Sequence, residues 1–225
     1  MPSMNLFRVK GILCDFDGVL VDSEPIRFKA GAQALAEIGE SLSWERFEQC
    51  WLGRTDEAAL RDLLGGRFEA EGRRVIERRN TLYEGRLDEV PGAGDALRFV
   101  PRVPEGIRLA VVTGSRRLEV EPILWRLAMT EHFQALITAE DYGQAKPAPD
   151  PFLLAARRLN VLPVSCLVIE DSPAGVAAAL AAGMPVVAVD RRPGESTLDE
   201  ATWKVSSLDD VTVTDKGEVV VKNQP

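Results

Sequence analysis

Five short apolar runs rich in β-branched residues punctuate this chain: Val9 to Phe16, Leu109 to Thr113, Ala135 to Thr138, Cys166 to Ile169 and Pro185 to Val189. Within each run the apolar residues are consecutive, not alternating with polar ones. A strand of that kind has to be covered on both faces, and strands covered on both faces are typical of a parallel sheet with helices on either side. Helix-length stretches separate most of the runs, as a βαβ rhythm requires. The expectation is therefore an α/β, doubly wound (Rossmann-like) parallel sheet.

One interval breaks the rhythm. Between the first and second runs, roughly 23 to 106, lies far more chain than a crossover needs, since its helix and loops take only about a dozen residues. The excess has helical periodicity of its own. Phe28, Ala32 and Leu35 fall at i, i+4 and i+7, and Ala58 to Leu64 and Val75 to Leu87 repeat similarly. We therefore expect an α/β core made of residues 1-22 and 91-225, with 23-90 inserted as a small helical domain. Pro91-Gly92 marks the return to the core, Ala93 to Val100 reads as one more helix, and Val211-Thr-Val-Thr and Glu218-Val-Val-Val read as a terminal hairpin.

Charge and composition narrow the function. Lys plus Arg number 27 and Asp plus Glu 35, a net charge of −8, so attraction to a phosphate backbone is weak and nucleic acid is not expected as a partner. Nowhere do 18 apolar residues run together, and the first ten residues lack an apolar signal core, so the expectation is a cytoplasmic protein with no membrane partner. Cys14, Cys50 and Cys166 are far apart and in no C-x-x-C spacing, which suits buried reduced thiols. His132 is the single histidine and sits in what reads as a surface connection, so Ser-His-Asp and two-histidine metal schemes are not available. No phosphate-binding glycine-lysine loop or nucleophile elbow is present either. Chemistry must come from carboxylates, hydroxyls, lysine and a metal.

In a doubly wound sheet, ligands lie outside the carboxyl ends of the strands. Four such ends carry polar motifs. The first reads Asp15-Phe16-Asp17-Gly18, which taken alone is either a carboxylate pair or an ordinary turn. The second reads Thr113-Gly114-Ser115, with Ser115 expected to cap a helix from Arg116 to Met129, where free amides and the helix end favour a phosphate oxygen. The third leads to Lys146-Pro147, held near a helix start at Asp150-Pro151, with Asp150 as the cap. The fourth reads Glu170-Asp171-Ser172-Pro173, another cap followed by proline. Two like charges about 4 Å apart in an effective dielectric of about 20 repel by about 4 kcal/mol. Acids gathered on these tips therefore imply a divalent cation and a nearby lysine, and a set of oxygen ligands suits Mg²⁺.

Taken in order, D-x-D-G, T-G-S, K-P and E-D-S-P resemble the haloacid dehalogenase-like (HAD) hydrolase superfamily, over about residues 7 to 190. The D-x-D-G-x-x-x-D-S and E-D-S-P-A-G stretches are similar to those of its β-phosphoglucomutase and sugar-phosphate phosphatase branch. The resemblance implies a Mg²⁺-dependent phosphatase that hydrolyses a small phosphorylated metabolite, a sugar phosphate or phosphorylated sugar acid, through an aspartyl-phosphate. Asp15 would be the nucleophile and Asp17 the acid and then the base. Thr113, Gly114, Ser115 and Lys146 would hold the phosphoryl oxygens, and Asp15, Asp17 (through its carbonyl), Glu170 and Asp171 the metal. The helical insert would be the mobile cap of that branch.

Within the insert, Arg54 lies in a loop that resembles the family's specificity loop. Arg79 shares a helical face with Val75, Ile76, Leu82 and Tyr83, and either reaches the substrate or snorkels at the bundle edge. Two positions depart from the mutase pattern: Arg27 stands where mutases carry a cap histidine, and Asp56 where they carry a phosphate-holding arginine. These favour a phosphatase over the alternative, a β-phosphoglucomutase-like phosphomutase. A non-catalytic binding module is the minor alternative. The chain is expected to act as a monomer.

Overall fold

The computed structural model describes residues 8–51, 54–191 and 198–222. Along the chain, strand β1 (Gly11–Cys14) is followed by four helices, α1 (Glu24–Ala36), α2 (Trp44–Cys50), α3 (Asp56–Leu64) and α4 (Phe68–Glu84). Helix α5 (Gly94–Phe99), β2 (Arg108–Val112), α6 (Arg117–Arg126), β3 (Ala135–Ile137) and α7 (Asp150–Leu159) come next. Strand β4 (Cys166–Glu170), α8 (Pro173–Ala181), β5 (Val186–Val189), β6 (Trp203–Val205) and the pair β7 (Val211–Val213) and β8 (Val219–Val221) complete it. The contacts divide the chain into two compact units, Met1–Val21 with Gly92–Pro225, and Asp22–Pro91.

The first unit is built on a six-stranded sheet in the order β3-β2-β1-β4-β5-β6, all parallel and flanked by helices, the doubly wound architecture the apolar runs call for. Every residue of β1, β4 and β5 is buried, which explains the unbroken apolarity of β1, of β5 and of β4 up to Ile169, before Glu170 at its carboxyl end. One face packs Leu13, Val112, Val168 and Val186 against Phe152, Leu159 and Val176 of α7 and α8. Each such side chain contributes about 1.5–3 kcal/mol by leaving water. The chain crosses from β1 to β2 on one side and later to β4 on the other, so β1 is the switch point of the strand order. Cys14 is in register with Val111 on β2 and Ile169 on β4, which brings the carboxyl ends of three strands together.

Several local expectations shift. Strand β6 was not anticipated, because Trp203-Lys-Val is short and carries a central lysine. Helix α6 is capped by the extended residue Arg116, not Ser115, and it stops at Arg126, with Ala128 in the left-handed region at φ 54°. Helix α7 begins one residue earlier than its proline suggested, with Pro149 as the cap and Asp150 as its first residue. Ser172 does cap α8, accepting a hydrogen bond from the Gly175 amide at 3.0 Å. The terminal hairpin forms as β7 paired antiparallel with β8. Leu118 and Trp125 stand exposed at i and i+7 on α6, an apolar pair that sequence reading did not single out. His132 lies in a 3-10 turn, and the three cysteines are free thiols. Burial pushes the Cys14 thiol up to about 12, with the neighbouring Asp15 charge adding to the rise. Among the described residues no helix is long and apolar enough to cross a membrane.

The second unit is helical. Helix α1 buries Ile26, Ala30, Ala34 and Leu35, and α4 buries Val75, Leu82 and Tyr83. Phe28, on the face that periodicity picked out, is only partly buried and instead edges against Trp44 and Phe47, with ring centroids 5.2 and 5.6 Å away.

Candidate active site

Asp15 follows the last residue of β1, and its amide continues the ladder by donating to the Ile169 carbonyl at 2.9 Å. The strand pairing therefore aims its side chain, which is 7% exposed. Thr113 likewise follows β2, its amide donating to Ile137 O at 2.9 Å, and the Tyr142 hydroxyl donates to the Thr113 carbonyl at 3.0 Å. Glu170 ends β4. The loop after β3 returns Lys146 to these tips through a cis Lys146–Pro147 peptide. The Lys146 ammonium donates to an Asp15 carboxylate oxygen, to the Val112 carbonyl at 3.1 Å and to Glu170 Oε1 at 2.5 Å. It also stands 5.0 Å from the ring centroid of Phe152.

The Glu170 carboxylate is fully buried and fully engaged. Oε1 takes Lys146, while Oε2 accepts from the amides of Asp171 and Ser172 at 2.9 and 3.0 Å and from the Ser172 hydroxyl at 3.0 Å. Oxygens of Asp15, Glu170 and Asp171 lie within 4.8 Å of one another. Asp171 leans over the turn after Asp17, where a Cβ on Gly18, at φ +79°, would lie 1.8 Å from Asp171 Oδ2. Only glycine fits there, for both its backbone angle and its lack of a side chain.

Burial pushes the Asp15 carboxyl up to about 8; the Lys146 ammonium opposes this and the Glu170 charge adds to it. Burial also works against the Lys146 charge, but Asp15 and Glu170 outweigh it and hold that ammonium above the ordinary lysine range. The lysine is therefore charged. With all three carboxyls ionised beside one ammonium the cluster would carry a formal −2, and the donors are all oxygens, so the residues present fit a hard divalent cation, whose charge would favour the ionised form of Asp15.

Asp17 is partly buried, and its Oδ2 accepts from the Ser115 hydroxyl at 2.6 Å. The Ser115 amide, expected to face a phosphate oxygen, here donates to Thr113 Oγ1 at 3.0 Å. The turn that follows Asp17 has a support that sequence reading passed over. Arg191 donates to the carbonyls of Gly18 and Val19 at 3.0 and 3.2 Å and to Asp95 Oδ2 at 2.8 Å. Asp95 in turn accepts from the Ser207 hydroxyl and the Leu208 amide at 3.0 and 2.8 Å. The signal was available: Asp190-Arg191 follows the fifth apolar run just as the other motifs follow theirs.

Within the helical unit, the two arginines expected to meet substrate carry carboxylate partners. Arg54 donates to Asp62 at 2.8 Å and to the Cys50 carbonyl at 3.0 Å. Arg79 is 5% exposed and donates to Asp56 Oδ2 at 3.1 Å, while Asp56 Oδ1 accepts from the Trp51 indole at 2.7 Å. The Arg27 guanidinium stacks 4.5 Å from the Tyr83 ring centroid. Gly53, which precedes Arg54 in the sequence, lies outside the described residues.

Comparison with known proteins agrees with this frame. The chain is 34% identical over 221 residues to hexitol phosphatase A of Escherichia coli (strain K12), covering 96% of this chain and all of that one. It is 31% identical to the β-phosphoglucomutase of Bacillus subtilis (strain 168), over 80% of this chain and 83% of that one. The crystal structure of CbbY from Rhodobacter sphaeroides in complex with phosphate shares the fold, at a TM-score of 0.75 and 21% identity, covering 89% of this chain and 95% of that one. The model of the haloacid dehalogenase-like hydrolase family matches residues 9–183, and with four polar motifs gathered on the strand ends of one parallel sheet, the chain belongs to that family of hydrolases.

Proposed function

We propose that this protein is a Mg²⁺-dependent phosphoric monoester hydrolase acting on a small sugar phosphate through an aspartyl-phosphate on Asp15. The observation that carries the reading is the buried Asp15 carboxylate at the switch-point strand, with Lys146 bound to it and Glu170 and Asp171 beside it. Asp15 attacks phosphorus in line with the leaving oxygen, forming an O–P bond as the ester bond breaks, and Asp17 gives its proton to the departing alkoxide. In the second half, Asp17 takes a proton from water, which attacks the same phosphorus and releases phosphate and the Asp15 carboxylate.

Lys146 and the Thr113 hydroxyl hold the equatorial oxygens, with the Gly114 amide completing the cradle and the Ser115 amide steadying the Thr113 hydroxyl, because phosphoryl transfer depends chiefly on positioning and charge stabilisation. Asp15 and Asp171, with the Asp17 carbonyl, are the residues that would hold Mg²⁺. Glu170, its oxygens already taken by Lys146 and three other donors, would act directly or through water. When bound, the ion supplies positive charge that offsets repulsion between carboxylate and phosphate. The helical unit Asp22–Pro91 serves as the cap that selects the substrate. Arg54 and Arg79 are its candidate contacts, yet each is already matched by a carboxylate of the same unit, so an uncharged polyol or sugar moiety fits better than a sugar acid.

A phosphatase is preferred to a phosphomutase because Asp56 is an anion that holds Trp51 and Arg79, the wrong charge for gripping a second phosphate. The test is phosphate release from a panel of sugar phosphates with and without Mg²⁺, using Asp15→Asn as the control. Loss of release in the variant and in EDTA is expected, whereas equal release from both proteins would overturn the mechanism. Conversion of β-glucose 1-phosphate to glucose 6-phosphate in the presence of a bisphosphate primer would instead favour the mutase.

A further inference from the structure

The Ser115 hydroxyl is expected to cap a helix, and it does not: α6 is capped at Arg116, with no side-chain cap bond. The hydroxyl is turned instead towards another strand end, 98 residues away in sequence, where it meets Asp17 Oδ2 at 2.6 Å. Its backbone is fixed on both sides. The Ser115 amide donates to Thr113 Oγ1 at 3.0 Å, and the Ser115 carbonyl accepts from the Ala139 amide at 3.1 Å. Ser115 is buried, 8% exposed, so the one freedom left to its side chain is rotation about a fixed Cα. Asp17 stands in the opposite situation, on a turn and only partly buried.

We propose that Ser115 is a positioning residue for the leaving-group step, its hydroxyl holding the Asp17 carboxyl in the orientation from which it delivers a proton. This rests on the reading of Asp17 as the acid. The carbonyl oxygen is the better acceptor of a protonated acid, so a donor on Oδ2 favours the acidic proton on Oδ1. The Ser115 bond thus selects which oxygen delivers the proton as well as where the carboxyl points. General-acid assistance is typically worth about 10²–10⁴-fold, and a misaimed acid forfeits part of it.

The dependence on leaving group separates this role from a merely structural one. An alkyl phosphate leaves as a strongly basic alkoxide and needs the proton; 2,4-dinitrophenyl phosphate leaves as a stable phenolate and does not. The quantity to compare is kcat/KM, which reports the steps up to transfer onto Asp15 and omits the later hydrolysis. Ser115→Ala should lower kcat/KM by about 10–100-fold on a sugar phosphate and by less than about threefold on the dinitrophenyl ester, as a fraction of the general-acid effect. Ser115→Thr, which keeps the hydroxyl, should recover most of the loss, and circular dichroism with thermal melting establishes that each variant is folded. Equal losses on both esters, no loss on either, or a folded threonine variant as impaired as the alanine one would each overturn the proposal. Asp17→Asn on the same two esters distinguishes the layers. If it too lacks leaving-group dependence, the acid assignment fails; if it shows the dependence and Ser115→Ala does not, only the positioning role fails.

Discussion

Replacing Gly175 by alanine inverts the usual arithmetic of helix stability. Gly175 lies in the first turn of α8, where alanine for glycine ordinarily returns up to about 1 kcal/mol. Here a methyl group would lie 1.8 Å from Glu170 Oε1 and 1.9 Å from its carboxyl carbon. Those atoms end a flexible side chain, but they have nowhere to go: the residue is fully buried and held by Lys146, two amides and the Ser172 hydroxyl. Displacing the carboxylate strips a buried ammonium of one of its two anions, and breaking a buried pair costs about 3–5 kcal/mol. The net expectation is a loss of about 2–4 kcal/mol after the helix gain is subtracted. With a urea m-value near 3 kcal/mol/M, the midpoint should fall by about 1 M. Gly106→Ala is the control, since a Cβ there meets nothing within 4 Å, and its midpoint should barely move. Phosphate release should fall together with the Gly175→Ala midpoint, because Lys146 loses its seat. A midpoint that stays put or rises would mean that Glu170 moves aside without cost, and the account of a pinned carboxylate would be wrong.

The turn after Asp17 and its arginine support give two further expectations. Arg191→Ala removes donors from two turn carbonyls and the cation from Asp95; its side chain is 33% exposed, so solvent screens the pair and the loss should be about 1–2 kcal/mol, together with a lower kcat. A destabilised variant with unchanged kcat would assign the clamp to folding alone. Burial would raise the Asp95 carboxyl, but the bonds from Arg191, the Leu208 amide and the Ser207 hydroxyl outweigh it and hold it below the ordinary carboxylate value. A group depressed in the folded state adds stability above its unfolded pKa of about 3.9, and that stability is lost as pH falls through the lower folded value. The deficit of Asp95→Asn in urea midpoint should therefore be flat from about pH 7 to 5 and shrink below about pH 4; a deficit that widens in acid would reverse the sign.

The sheet was legible in the sequence because burial on both faces leaves a simple mark: β1, β5 and β4 as far as Ile169 read as unbroken apolar runs since every residue in them is buried. Edge strand β6 left no such mark, its tryptophan and lysine being only partly buried. The helical caps were legible where a hydroxyl has a nearby amide to accept from, as at Ser172, and illegible where a distant partner competes. Ser115 has the composition of a cap, and what draws it away is Asp17, on another strand. No local propensity encodes that choice. Arg191 escaped notice for a related reason, since its partners Gly18, Val19 and Asp95 come from two remote segments and only the fold assembles them.

The glycines of the two acidic motifs show how closely sequence and electrostatics are joined. In Asp15-Phe16-Asp17-Gly18 the glycine reads as a turn former, and its φ of +79° bears that out. Yet the same Cα also makes room for Asp171, from the fourth strand end, to approach the Asp15 turn. In Glu170-Asp171-Ser172-Pro173-Ala174-Gly175 the glycine stands within a helix, where it lowers propensity, and it lets the Glu170 carboxylate fold back over the helix start. Both glycines therefore clear space for an acid. If a side chain stood at either, the acids would have to spread apart, and the charge that calls for a divalent ion would be diluted. Spacing in these motifs is set by the distance between carboxylates at least as much as by the turns that carry them.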